Sequence, residues 1–335
     1  MSFPLIISIK SSQITKYERE NIRKFKPFGV ILFKRNILNL NQTKKLIKSI
    51  KSLHPKIFIL IDQEGGIVNR FPKLNEFNFL DNFDYYQIYL KYPSLAKQLV
   101  YLKSFITSYH LSEMGFDINT IPVLDIPNSK TISMIKKRTF GSDLNISIEL
   151  NEIFVDASIS FGITPVMKHI PGHGLTSKDS HLSLPTVSSS LKILQNQLKL
   201  FQHFKHLPYA MTAHIKYEKW DKENMATYSK SIIQKIIRQQ NNFRGLIMSD
   251  DMTMRANQYD IKESIIKCNQ SGVDIFLDCS SDWGRYLEVI KSFKVTSLYK
   301  NSLKTNKSKR KVNLKSINII QYHDLYNELI KLYGI

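Results

Sequence analysis

Residues 56–66 read KIFILIDQEGG, an unbroken apolar run that stops in Asp62, Gln63 and Glu64 and leaves through Gly65 and Gly66. A short apolar run without period-two alternation is how a strand buried on both faces reads, and such strands belong to parallel sheets. The pattern recurs in both directions along the chain. Further runs occupy 4–10 (PLIISIK), 28–34 (FGVILFK), 115–125 (GFDINTIPVLD), 163–169 (ITPVMKH), 207–214 (LPYAMTAH), 244–251 (RGLIMSDD) and 272–279 (GVDIFLDC). Each is followed by a stretch with helical spacing. The first is 12–25, where Ile14, Tyr17, Ile22 and Phe25 share a face; the others are 41–53, 92–113, 145–161, 192–205, 229–241, 260–270 and 283–293. Eight strand-like runs alternating with eight helix-like ones predict an α/β fold of the (β/α)8 TIM-barrel type. The competing doubly wound sheet lacks its sign, since no G-x-G-x-x-G turn follows the first run. No Gly/Ser/Pro-rich linker or internal repeat intervenes. The barrel is therefore assigned to 1–293 as a single domain, and 294–335 to a basic C-terminal extension carrying a helix packed on the barrel.

Composition narrows the class. The 335 residues are 42% hydrophobic and 23% charged, which suits a globular chain with a large core and excludes a disordered one. Cys268 and Cys279 are too few for a disulfide framework. The N-terminus has only a short apolar run with no basic leader, and nothing approaches the roughly 20 apolar residues of a membrane helix. A cytoplasmic protein without membrane insertion, working as a monomer, is expected. The net charge of +20 is large, but Lys spread over solvent faces accounts for most of it. Only 304–315, KTNKSKRKVNLK, is sharply basic, and no specific nucleic-acid partner is expected from it.

Polar residues gather where the apolar runs stop: Asp62 to Glu64, Asp125, Lys168-His169, His214 and Ser249-Asp250-Asp251. In a barrel those ends share one rim, where active sites are built. Wet loops explain polar residues in general, but poorly explain charges abutting five consecutive buried runs.

Three segments carry chemistry. In 168–185, KHIPGHGLTSKDSHLSLP, Gly172 and Gly174 point to a tight turn or mobile loop. Asp179 and His181 are two apart, and in an extended stretch they point the same way; a carboxylate beside an imidazole suits a general acid that later acts as base. An exposed histidine with an incidental neighbour fits that spacing equally well. In 244–254, RGLIMSDDMTM, only one of Asp250 and Asp251 can face the barrel mouth. An ionised carboxylate there can attack a sugar carbon, and the other aspartate can cap the following helix. In 61–71, IDQEGGIVNRF, Asp62 and Arg70 suit hydroxyl pairs and amide oxygens, with Arg138 and Lys168 as further donors. His169, His173, His181, His214 and Asp250 raise a metal-dependent hydrolase as a minor alternative. Against it, the first run has no His-x-His pair, and no H-E-x-x-H spacing occurs.

Taken together, GVILFKRN (29–36), IDQEGGIVNRF (61–71), PVLDI (122–126), RTFG (138–141), KHIPGHG with DSH (168–181), MTAHIKY (211–217), GLIMSDDMTM (245–254) and SGVDIFLDC (271–279) resemble glycoside hydrolase family 3. The resemblance is to its bacterial cytoplasmic β-N-acetylglucosaminidase branch. It implies a retaining hydrolase that removes terminal β-linked N-acetylglucosamine from GlcNAc-anhydroMurNAc-peptides during cell-wall recycling, with no metal or organic cofactor. Asp250 matches the nucleophile, His181 the histidine acid/base and Asp179 its partner. Asp62, Arg70, Arg138, Lys168 and His169 match the sugar-binding set. The sequence departs at Ile67, where the family has arginine after the double glycine, and at Ile-Lys-Lys before Arg138. Two other readings stand beside this one: a phosphorolytic family 3 glycosidase, and a non-catalytic basic barrel that binds anionic polymers.

Overall fold

The computed structural model describes residues 2–180, 182–302 and 310–334. Its eight barrel strands are β1 (Phe3–Ser8), β2 (Pro27–Leu32), β3 (Phe58–Ile61), β4 (Ile118–Asn119), β5 (Thr164–Ile170), β6 (Tyr209–Thr212), β7 (Leu246–Met248) and β8 (Phe276–Asp278). Successive strands pair in parallel from β1 to β7, and β8 pairs with β1. A parallel bridge from Met248 to Ile275 closes the ring between β7 and β8. Each of the eight apolar runs overlaps one of these strands, and no strand extends more than a residue beyond its run.

The helices expected from spacing are also present: α1 (Lys16–Phe25), α2 (Leu40–Lys51), α4 (Pro93–Met114), α5 (Leu144–Ser160), α6 (Leu191–His203), α7 (Ser231–Gln240, wound as a π-helix), α8 (Ile261–Ser271) and α9 (Trp283–Ser292). An extra helix, α3 (Asn82–Tyr89), precedes α4. Local chemistry sets their ends. Thr15 and Glu18 form a capping box at the start of α1. Pro93 opens α4, and Gly115 closes it at φ 96°.

Strand residues divide between two cores. Ile6, Ile31, Leu60, Ile118, Val166, Met211, Met248 and Leu277, one from each strand, form a buried cluster of their own inside the barrel. Their neighbours, such as Leu5, Ile59, Met167 and Ile247, pack beneath the helices. Burial on both faces is what removed the alternation from the sequence.

Beyond α9, α10 (Ile319–Leu332) lies against α3 and α4. The Tyr326 hydroxyl meets that of Tyr85 at 2.7 Å, Tyr322 stacks on Phe105 at 4.1 Å, and the His323 and His110 rings meet at 3.2 Å. Residues 304–309 of the basic run lie outside the described residues. Among the described residues no helix is long and apolar enough to cross a membrane.

Candidate active site

Because the strands are parallel, their C-terminal ends share one rim, and the polar residues of the apolar runs meet there. After β3, Asp62 accepts from Arg70 Nη2 at 2.8 Å and from the Thr120 hydroxyl, with Lys168 Nζ at 3.5 Å. Two residues on, Glu64 takes both fork nitrogens of Arg138 at 2.9 Å and Lys168 Nζ at 2.6 Å. Lys168 Nζ also donates to Thr120 at 2.8 Å. Buried charges persist only when paired and hydrogen-bonded, and these three cations and two carboxylates interlock in that way. Burial opposes ionisation of Glu64, but Arg138 and Lys168 outweigh it and bring the carboxyl down to about 2. The same contest at Asp62, against Lys168 and Arg70, holds it well below the usual carboxylate range.

Lys168 and His169 are adjacent yet both reach this cluster. The register between β5 and β6 shifts between Lys168 and Ile170, an irregularity that re-aims side chains. His169 Nδ1 lies 2.8 Å from Asp125 Oδ2, and its Nε2 lies 3.2 Å from Arg138 Nη2. Arginine only donates, so Nε2 accepts and Nδ1 carries the hydrogen given to Asp125. Asp125 also accepts the backbone N–H groups of His169 and His173, at 3.2 and 2.6 Å. It thereby ties the end of β5 to the loop that follows.

Asp250 follows β7. Burial pushes its carboxyl up, but the imidazoles of His169 and His214, the Asp251 N–H and Lys168 together hold it below the usual range. Its Oδ1 accepts the Asp251 N–H at 2.8 Å. Buried His214 donates from Nε2 to the Asp251 carbonyl at 3.2 Å and accepts the Thr227 hydroxyl at Nδ1. Asp251 turns away: its carboxylate takes the Thr253 N–H, the Thr253 hydroxyl and the Cys279 N–H. It caps a turn and not the next helix, because α8 starts only at Ile261 and is capped by Asp260.

The loop after β5 turns at Asp179. The N–H groups of Leu182 and Ser183 both bond the Asp179 carbonyl, at 3.0 and 3.2 Å. The described residues around Asp179 thus form a turn. Asp179 is partly exposed on this turn, and His181 lies outside the described residues. The first half of the loop is pinned. His173 is buried between the hydroxyls of Ser180 and Thr176, each at 3.0 Å, and burial then proximity to His169 lower it to about 4. Gly174 packs so tightly that a Cβ would lie 2.1 Å from the Ile126 carbonyl oxygen.

The structure thus brings Asp62, Arg70, Arg138, Lys168, His169 and Asp250 together. It adds Glu64, Thr120, Asp125 and His214, to which the sequence reading gave no part in sugar binding. Glu64 carried a signal, standing two residues from Asp62 and so on the same side of an extended exit from β3. Asp125 and His214 end their apolar runs as the assigned residues do. Among the described residues no group of three or more His, Cys, Asp or Glu side chains is placed to hold a metal ion. Both cysteines are free.

Fold and site define a (β/α)8-barrel enzyme whose rim gathers ionised carboxylates, Asp250 among them, with fixed donors and acceptors suited to a polyhydroxylated ligand. Comparison with known proteins makes this specific. The family model for the glycosyl hydrolase family 3 N terminal domain matches residues 5–312. A beta-hexosaminidase of Haemophilus influenzae is 30% identical over 301 residues, covering 87% of this chain and 83% of that one. A beta-hexosaminidase of Psychromonas ingrahamii is 28% identical over 320 residues, covering 91% and 92%. Among solved structures, NagZ from Neisseria gonorrhoeae in complex with N-trifluoroacetyl-D-glucosamine superposes with a TM-score of 0.87 at 26% identity, over 98% of both chains. The chain belongs to glycosyl hydrolase family 3, and it is a glycoside hydrolase.

Proposed function

We propose that this chain is a retaining exo-β-N-acetylglucosaminidase. Its substrates would be peptidoglycan fragments of the GlcNAc-anhydroMurNAc-peptide kind, from which it removes the terminal non-reducing sugar in the cytoplasm, as a monomer and without metal or cofactor. The likeness to beta-hexosaminidases and to a NagZ holding a glucosamine derivative supports the sugar. The observation that carries the reaction is Asp250, ionised at the end of β7 and facing His169, His214 and Lys168.

Asp250 Oδ1 is engaged by the Asp251 N–H, which leaves Oδ2 for the anomeric carbon. As that bond forms, the bond from the anomeric carbon to the leaving oxygen breaks, and His181 gives the oxygen its proton. Water then attacks the glycosyl-enzyme, His181 takes the proton back, and the Asp250 ester bond opens. Two inversions retain the configuration. The transition state carries positive charge, which the negative Asp250 stabilises before bonding. A histidine suits the acid/base role near neutrality because its ordinary pKa is about 6.5. Asp179 would favour its charged form. Asp62, Arg70, Arg138, Lys168 and His169 hold the sugar hydroxyls.

The test is exposure to a slow fluorinated N-acetylglucosamine analogue followed by mass mapping of the labelled peptide. A glycosyl label on Asp250 is expected; turnover with the label on another residue overturns the assignment. Release of a sugar 1-phosphate on adding phosphate would replace hydrolysis by phosphorolysis.

A further inference from the structure

Lys103, midway along α4, is fully buried. Among the described residues it forms no ion pair. Its ammonium donates to Asn82 Oδ1 at 2.6 Å and lies 3.5 Å from the Leu80 carbonyl, with the Tyr85 and Phe154 rings 5.0 and 5.8 Å away. On its other side it presses on the exit from β3, where a Cβ added to Gly65 would stand 2.5 Å from Lys103 Cε and 2.9 Å from Nζ. Gly65 itself has φ 79°. Asn82 passes the contact on, donating from Nδ2 to the Arg138 carbonyl at 2.9 Å. The start of α3 joins the same two segments from above. Asp81 accepts the Ile67 N–H at 2.6 Å and pairs with Lys137 at 3.3 Å.

We propose that Lys103, which touches no substrate, is a positioning residue: it holds the Gly65 backbone and, through Asn82, the Arg138 backbone in the register that lets Glu64 and Arg138 meet with two hydrogen bonds. The proposal rests on the reading above, in which Arg138 and Lys168 hold the sugar. A buried ammonium without an ion-pair partner in contact is costly, so its place there needs a return that packing alone does not supply. The groups facing it are Glu64 after β3, Asp81 and Asp84 at the start of α3, and the Tyr85 ring; among the described residues α5 adds the Phe154 ring. Burial brings Lys103 down to about 7 against the pull of Glu64, Asp81 and Asp84. Deprotonation then weakens its hold on the Glu64 side as pH rises through neutrality.

The experiment measures KM and kcat for an aryl β-N-acetylglucosaminide with wild type, Lys103→Met, Asn82→Leu and the double variant, from pH 6 to 9. Lys103→Met and Asn82→Leu should each raise KM ~10-fold while kcat stays within ~3-fold, since an interaction lost from binding and not from the chemical step moves KM. The double variant should be no worse than the poorer single, as expected of two links in one chain. Wild-type KM should climb above pH 7 and that climb should vanish in Lys103→Met. If Lys103→Met does not fold, the Asn82→Leu result decides. Unchanged KM in a folded variant, or effects that add, overturns the proposal and leaves the glycosidase reading standing. A wild type that releases no aglycone sinks that reading and this proposal with it.

Discussion

Replacing Glu64 by glutamine removes the negative centre of the rim cluster while keeping its shape. Arg138 and Lys168, both largely buried, then face each other without a counter-charge between them. The magnitude follows from proton linkage. A carboxyl at about 2 when folded, against about 4.5 when unfolded, stabilises the fold by about 3 kcal/mol at pH 7. The folded value is the depressed one, so this stability is complete above pH 4.5 and is lost as pH falls toward 2. For 335 residues the melting entropy is about 0.7 kcal/mol/K, so Glu64→Gln should lower Tm by about 5 °C at pH 7. At pH 3 less than half of the contribution remains, and the gap should narrow to about 2 °C. Differential scanning calorimetry of both proteins at pH 7, 5 and 3 reads this directly. A gap under ~1 °C at pH 7, or one that stays constant down to pH 3, would refute the claim that ion pairing at Glu64 outweighs its burial.

Other expectations concern turnover. Asp250→Ala should abolish hydrolysis of natural disaccharides and activated aryl glycosides alike; substantial residual activity removes Asp250 from the mechanism. His181→Ala should cripple substrates whose leaving group needs a proton far more than activated aryl glycosides, and equal losses on both count against the acid role. Asp125→Asn frees the His169 tautomer and slackens the His173 backbone, so kcat/KM should fall ~10- to 100-fold with a smaller change in Tm. A variant with wild-type kinetics would show that His169 needs no orienting carboxylate.

The barrel was legible because each strand is apolar on both faces and each helix on one, and both patterns survive in a linear string. The rim was legible for a related reason: in a parallel ring every strand ends on the same side, so Asp62, Lys168, His169 and Asp250 could be grouped without knowing their distances. Glu64 was grouped with the rim but given no role, because nothing in its spacing shows that Arg138 and Lys168, far along the chain, close on it. Capping of the following helix was one reading open to Asp251; its carboxylate caps a turn instead, and α8 begins ten residues on at Ile261, capped by Asp260. The spacing of Asp179 and His181 left the local conformation open, and two backbone hydrogen bonds to the Asp179 carbonyl make the described residues there a turn.

By itself the sequence determined the order and number of elements, the side of the barrel that carries chemistry, and most of the residues that gather there. These follow from local burial patterns and from the direction of parallel strands. Only the tertiary structure decided which charges pair with which. It set Glu64 between Arg138 and Lys168, fixed His169 against Asp125, and buried Lys103 beneath Gly65. Partners so far apart in the chain leave no spacing to read, and whether a lysine in a helix meets water or core depends on what folds over it.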